Sequence, residues 1–237
     1  LEYLSGDNWL FRAETYYKHF ENLITLKQGE LFTEDEDQLQ FTPFNEFYDT
    51  RAYAYGLELL VKKTAGRIRG WVGYTYAETN RHIIKHGWYQ PKYDRTHTLN
   101  MVGDLEILEG LHFSTSLQAA SGQPFTPPVG RYDQWYAQHG AFGHYWTYNP
   151  GFLVDDKNSA RLSPYFRLDI GLKQNKTFYG LPYQRFFQLV NVTNHINPLT
   201  HQYRNKTNRL TGETLGLERA EVPMFPFFFT MGFRIEF

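Results

Sequence analysis

Cysteine is absent from the 237 residues, which removes disulfides, thiolate metal sites and cysteine nucleophiles from consideration. An excess of either charge is also missing. The chain carries 24 Lys and Arg against 25 Asp and Glu, a formal net charge of −1, and so lacks the basic stripe of a nucleic-acid surface. No run approaches the roughly 20 apolar residues of a membrane helix. The opening, LEYLSGDNWLF, has none of the charged, apolar and small-residue regions of an export signal, so any such signal is expected outside these residues and the chain reads as a fragment. What the sequence has instead is aromatic residues, 18 Tyr and 20 Phe, although its mean hydropathy is negative. A chain both polar and aromatic must separate the two kinds of side chain in space.

Alternation shows how. In the terminal stretch PFFFTMGFRIEF, side chains on a strand point to opposite faces in turn, so Phe227, Phe229, Met231, Phe233, Ile235 and Phe237 share one face. Thr230, Gly232, Arg234 and Glu236 share the other. Trp9, Phe11, Ala13, Thr15 and Tyr17 alternate in the same way with Arg12, Glu14, Tyr16 and Lys18. Tyr55, Leu57, Leu59 and Val61 alternate with Gly56, Glu58, Leu60 and Lys62, and Leu111, Phe113, Thr115, Leu117 and Ala119 with His112, Ser114, Ser116 and Gln118. Phe166, Leu168, Ile170 and Leu172 oppose Arg167, Asp169, Gly171 and Lys173. In IRGWVGYTYAETN the parity is ambiguous, because Trp71 and Tyr74 fall on opposite faces. About eight strands result, each of roughly the ten residues that a tilted membrane strand requires.

The connections carry more information than any one strand. From the first strand onward they run long, short, long, short, long, short, long. The long ones are the acidic stretch from Lys27 to Thr50, the segment around HIIKHGWYQPKYDR, the Gly/Pro/Trp/Tyr-rich stretch from Gly122 to Ser163, and a polar loop from His195 to Val222. An up-and-down meander with one end in a confined space gives this parity, whereas Greek-key crossings do not. The expectation is an all-β transmembrane antiparallel up-and-down β-barrel segment, with lipid as partner of the apolar face. The charged face, including Lys173, Asp104 and Arg234, would line a wet or plugged interior, since a dry core could not accept unpaired charges.

Four segments and the terminus have a familiar order. PKYDRTHTLNMVGD, LQAASGQPFTPP, RLSPYFRLDIGLK and FFQLVNVTNHINP, closed by MGFRIEF, resemble the C-terminal part of the barrel of TonB-dependent outer-membrane receptors. The matching features are Asp94 and Arg95 before a strand, the Ser121-Gly122-Gln123-Pro124 run, Arg167 and Asp169, Asn191 and Asn194, and the terminal Phe237. The resemblance covers roughly Tyr93 to Phe237. It implies that residues 1–237 are the last third or so of a barrel of about 22 strands whose plug and earlier strands are absent from this chain. It further implies the outer membrane of a Gram-negative bacterium and uptake of a scarce solute such as a siderophore, vitamin, oligosaccharide or peptide. TonB would act through the plug, and a surface lipoprotein remains open as a partner. Phe233, Ile235 and Phe237 resemble the terminal signal read by the barrel-assembly machinery, or equally the end of any lipid-facing strand.

Candidate chemistry is sparse. No serine sits in a Gly-x-Ser-x-Gly elbow, no metal or cofactor is expected, and the chain is not expected to be an enzyme. His82 and His86 have helical metal spacing but lie in a loop-like segment; His139 and His144 lie in the long aromatic stretch. Ligand contact is expected from loop aromatics, namely Trp88, Tyr89, Trp135, Tyr136, Tyr145 and Trp146, whose faces stack on flat ligands or sugar rings. The competing expectation is that these loops pack on one another. Asn191 and Asn194 are expected to face the interior or a plug. Two alternatives stay open: a self-contained eight-stranded barrel, enzyme or adhesin, whose first strand would pair with its last, and a soluble carbohydrate-binding β-domain.

Overall fold

The computed structural model describes residues 1–6, 8–26, 47–84, 87–140, 143–207, 210 and 214–235, with the side chains of 26, 47, 131, 133–140, 143–152, 178, 204, 205, 207, 214, 215 and 217 outside the description. Among the described residues there is no helix. In chain order the strands are β1 (Glu2–Ser5), β2 (Trp9–Leu26), β3 (Phe47–Lys63), β4 (Ile68–Ile83), β5 (Gly87–Tyr89), β6 (His97–Leu108), β7 (Leu111–Ala120) and β8 (Pro124–Phe125). They continue with β9 (Pro128–Gly140), β10 (Gly143–Val154), β11 (Ala160–Arg161), β12 (Tyr165–Phe178), β13 (Leu181–Val190), β14 (Pro198–Thr207), β15 (Thr214–Pro223) and β16 (Phe228–Ile235).

One antiparallel sheet dominates, in the order β1-β2-β3-β4-β6-β7-β12-β13-β16, with β5 added to the upper part of β4. Its short connections follow from turn chemistry. Between β12 and β13, Tyr179 and Gly180 take φ of 50° and 80°, the left-handed pair that a two-residue turn needs to match strand twist. Thr64 to Arg67 join β3 to β4, and Glu109 and Gly110 join β6 to β7. All these turns lie at one end, and the strands joined by long connections end at the other.

The turns are also staggered in one direction. Ile68, where β4 leaves the β3–β4 turn, is level with Leu105, and β6 runs to Leu108, 108 − 105 = 3 residues further. Leu111 is level with Gln174, and β12 runs to Phe178, 178 − 174 = 4 further again. A progressive stagger is the geometry of a tilted, coiling sheet. The sheet does not close, however: β1 and β16 are its two edges, so the end-to-end pairing expected of a self-contained barrel is not formed.

Register sorts the side chains into two faces. One row runs Phe11, Val61, Val72, Met101, Leu117 and Leu168, and another ends Leu105, Phe113, Leu172, Phe187 and Met231. The opposite face carries Arg12, Glu14, Glu58, Lys62, Arg69, Asp104, Arg167, Asp169, Lys173 and Arg234. The ambiguous strand is thereby settled: Tyr74, paired with Leu99, is on the apolar face, and Trp71, paired with Val102, is on the polar one. Phe228, paired with Val190, also falls on the polar face.

Among the described residues no second layer covers the apolar face. Phe229, Met231 and Phe233 are 58%, 70% and 76% exposed, and the buried apolar side chains are Ala52, Ala54, Ile83, Leu162 and Val190. In water each large side chain left uncovered forgoes about 1.5–3 kcal/mol, and soluble domains bury such a face against another layer.

Two stretches expected to be loops contain strands. Residues 122–163 hold the β9–β10 hairpin and the short β8–β11 pair, and residues 195–222 hold the β14–β15 hairpin. Their Gly, Pro and polar content suggested breaks, but the Tyr and Trp of the first stretch and the Thr of the second favour extended backbone.

Candidate functional site

At the long-connection end, the residues of the resembling motifs meet each other. The Asp94 carboxylate, with a side chain 1% exposed, accepts from Thr79 N at 2.9 Å and from Arg161 Nη2 at 2.7 Å. Arg161 also donates to Gln90 Oε1 at 2.5 Å and to the Gly122 carbonyl at 2.8 Å. Gly122 approaches so closely that a Cβ there would lie 1.7 Å from the Leu162 carbonyl oxygen, far inside contact distance, which only glycine permits.

A second polar cluster sits beside it. Arg167 grips Asp169 through both Nε and Nη2, and Asp169 Oδ1 also accepts from Asn191 N at 2.9 Å. Asn191, 1% exposed and at φ 53°, receives His195 N on its Oδ1 and donates from Nδ2 to the His195 carbonyl. Asn194 Oδ1 accepts from Phe227 N, and Asn197 pairs both of its amide atoms with the backbone of Phe166. Asn191 and Asn194 were expected to face the interior. Instead they fold the β13–β14 connection and fix the entry to β16, because a left-handed Asn satisfies its own loop.

Next to the first cluster lies a cation and aromatic patch. Arg81 donates to Thr25 Oγ1 and to the Tyr93 hydroxyl at 3.4 and 3.3 Å, and its Nε is buried without a partner. The Thr25 and Tyr89 hydroxyls lie 3.1 Å apart. Lys157 Nζ sits 5.0 Å over the Tyr89 ring, and burial, then the charge of Arg81, lowers its pKa. Two cations among tyrosine rings can hold an anionic or flat π-rich group. Comparison with known protein families, curated proteins and solved structures finds no match for this chain.

Trp88 and Tyr89 are not brought together. Tyr89 pairs with Arg81 on the polar face, while Trp88 pairs with His82 on the other. There Trp88 packs at 5.1 Å from Tyr53 and 4.9 Å from His82, with Arg51 above it. Adjacent residues of one strand face opposite ways, so this split was readable had β5 been recognised.

Trp135, Tyr136, Tyr145 and Trp146 lie in the β9–β10 hairpin, with Trp135 opposite Tyr148 and Trp146 opposite Ala137; their side chains, like those of His139 and His144, lie outside the described residues. So do His86 and Phe237. Phe233 and Ile235 stand exposed on the apolar face. Among the described residues no three His, Asp or Glu are grouped to hold a metal ion. Sequence reasoning did not find Arg81, Tyr93, Lys157, Gln90 or Arg161, which meet only through long connections. The clue available was that Arg161 opens the same segment, RLSPYFRLDIGLK, that carries Arg167.

Proposed function

We propose that this chain is wall and outer vestibule of a TonB-dependent outer-membrane receptor, the C-terminal part of a larger transmembrane barrel that takes up a scarce solute. One observation carries the reading: a single apolar face runs across the antiparallel sheet with, among the described residues, no layer over it. Lipid tails are the partner that such a face needs, and the alternating polar face suits a wet or plugged interior. Two further features support it. Short turns and long connections lie at opposite ends, and the motifs of the resemblance form two polar latches, Asp94 with Arg161 and Asp169 with Asn191. Of β2, which pairs with β3 from Trp9 to Leu26, β1 covers only Trp9 to Arg12. Further strands of a larger barrel would complete that edge.

In this reading the terminal Phe233 and Ile235 serve the assembly machinery, and TonB acts through a plug supplied by the rest of the receptor. The patch of Arg81, Tyr89, Tyr93 and Lys157 lines the vestibule. The chain's role is binding and passage, with no reaction assigned to it. The soluble carbohydrate-binding alternative requires a cover for the apolar face, and the small closed barrel requires β1 to pair with β16.

The test is the mass of the native gene product in the outer-membrane fraction, detected with an antibody against this segment. A band far above 28.0 kDa is expected. A band at that mass that shifts on heating in detergent would mean a self-contained barrel, and a product absent from the membrane fraction would overturn the membrane reading.

A further inference from the structure

Charge is unevenly placed on the apolar face. Toward the short-turn end its paired positions carry Lys63, Lys176 and Arg185 and, among the described residues, no Asp or Glu. Glu78 stands toward the opposite end, held by the hydroxyls of Tyr55 and Tyr76. An apolar surface with only cations along one rim faces a complementary layer of anions.

Arg185 is the cation set furthest into this surface. It lies four residues into β13 from Leu181, about 13 Å along the strand, between Gln174 on one neighbour and Phe233 on the other. Its Nε donates to Gln174 Oε1 at 2.7 Å, which orients the guanidinium and leaves both terminal nitrogens without a partner among the described residues. Beside it Leu111, Leu172, Phe187, Met231 and Phe233 wall a groove of about 700 Å³. The next position toward the turn is Lys176, paired with Tyr183.

We propose that this groove binds one phospholipid with an anionic headgroup, from the leaflet that meets the short turns. The phosphate engages the Nη1 and Nη2 donors of Arg185, a planar fork suited to phosphate oxygens. Lys176 reaches the remainder of the headgroup from the rim. An acyl chain lies along Leu172, Phe187 and Met231. A zwitterionic lipid would fill the groove equally but bring a cation toward Lys176. The inference rests on the membrane reading of the sheet.

Native mass spectrometry of the full protein, extracted in mild detergent, tests it by titration with palmitoyl-oleoyl phosphatidylglycerol, with the matching phosphatidylcholine and with inorganic phosphate. One phosphatidylglycerol should be retained about tenfold more tightly than phosphatidylcholine. Arg185→Gln should erase that preference, while Lys62→Gln on the polar face should keep it, both variants being checked for the heat-shifted folded band. Retention of the preference in Arg185→Gln, equal loss in Lys62→Gln, or displacement by inorganic phosphate would each overturn the lipid site. Extraction of the unmodified protein from membranes by alkaline carbonate would overturn the membrane reading itself.

Discussion

The two faces of the main sheet share one backbone and differ in how each side chain is satisfied. On the polar face several ionisable side chains are paired within the chain: Arg12 with Glu2 at 2.7 Å, Arg69 with Asp104 at 2.9 Å, His112 with Asp104 at 3.0 Å, and Arg167 with Asp169 at 2.6 Å. The apolar face is mostly hydrocarbon, and among the described residues no second layer packs on it. One face is therefore specified by pairing inside the chain, and the other by whatever surrounds it. A fold with so small an internal core cannot draw its stability from two-layer burial. Its stability must come from the backbone ladder, from polar latches, and from the medium against the apolar face.

The largest expected effect lies where the polar face is driest. Asp94→Ala removes the partner of Arg161 and leaves Thr79 N without its acceptor. Breaking a buried ion pair costs about 3–5 kcal/mol, and the Arg161 side chain, 31% exposed, regains some water, so the low end, about 3 kcal/mol, is expected. The heat-induced loss of the folded band in detergent reads this directly. An Arg161→Ala, Asp94→Ala pair should cost little more than Asp94→Ala alone, because the two act as one unit. Additive losses would separate them and dissolve the latch.

A sharper contrast comes from two neighbours in β6. Met101 lies in the apolar row between Val72 and Leu117, and Asn100 on the polar face between Gly73 and Gln118. In lipid vesicles Met101→Arg should cost about 2–4 kcal/mol, the depth-dependent penalty of a cation on a lipid-facing barrel position. Asn100→Arg should stay near the ordinary surface range of about 0.5 kcal/mol. If folding titrations put the two variants level, the surroundings of the two faces would be alike and the membrane reading would fall.

Much of this contrast was legible from period-two alternation, because parity is a local property. The rows through Phe11, Val61, Leu117 and Leu168 stand where alternation puts them. Parity failed at Trp71 and Tyr74, where apolar residues occupy both faces and only the partners Val102 and Leu99 decide. It also failed in the long connections, where Pro and Gly hid the β9–β10 and β14–β15 hairpins. The site was least legible of all. Arg161 reaches back 67 positions to Asp94, and Arg81 56 to Thr25, and a single sequence carries no record of such pairings.

The smallest expected effect uses two adjacent phenylalanines. In β13, Phe186 crosses the polar face and lies against Gly232, where a Cβ would meet its ring at 2.7 Å. An aromatic side chain thus covers the backbone that a strand glycine leaves bare, as Tyr16 does over Gly56. Phe187 points the other way, between Leu172 and Met231. Both are about two-fifths exposed, at 39% and 42%, so burial within the chain predicts equal costs for Phe→Ser. If lipid covers Phe187, Phe187→Ser loses apolar transfer worth about 1.5–3 kcal/mol. Phe186→Ser then loses only a cross-strand contact of about 0.2–1 kcal/mol. The inequality should disappear when the lipid is replaced by a denaturing concentration of urea, since it belongs to the medium; an inequality of the opposite sign in lipid would assign the faces the other way round.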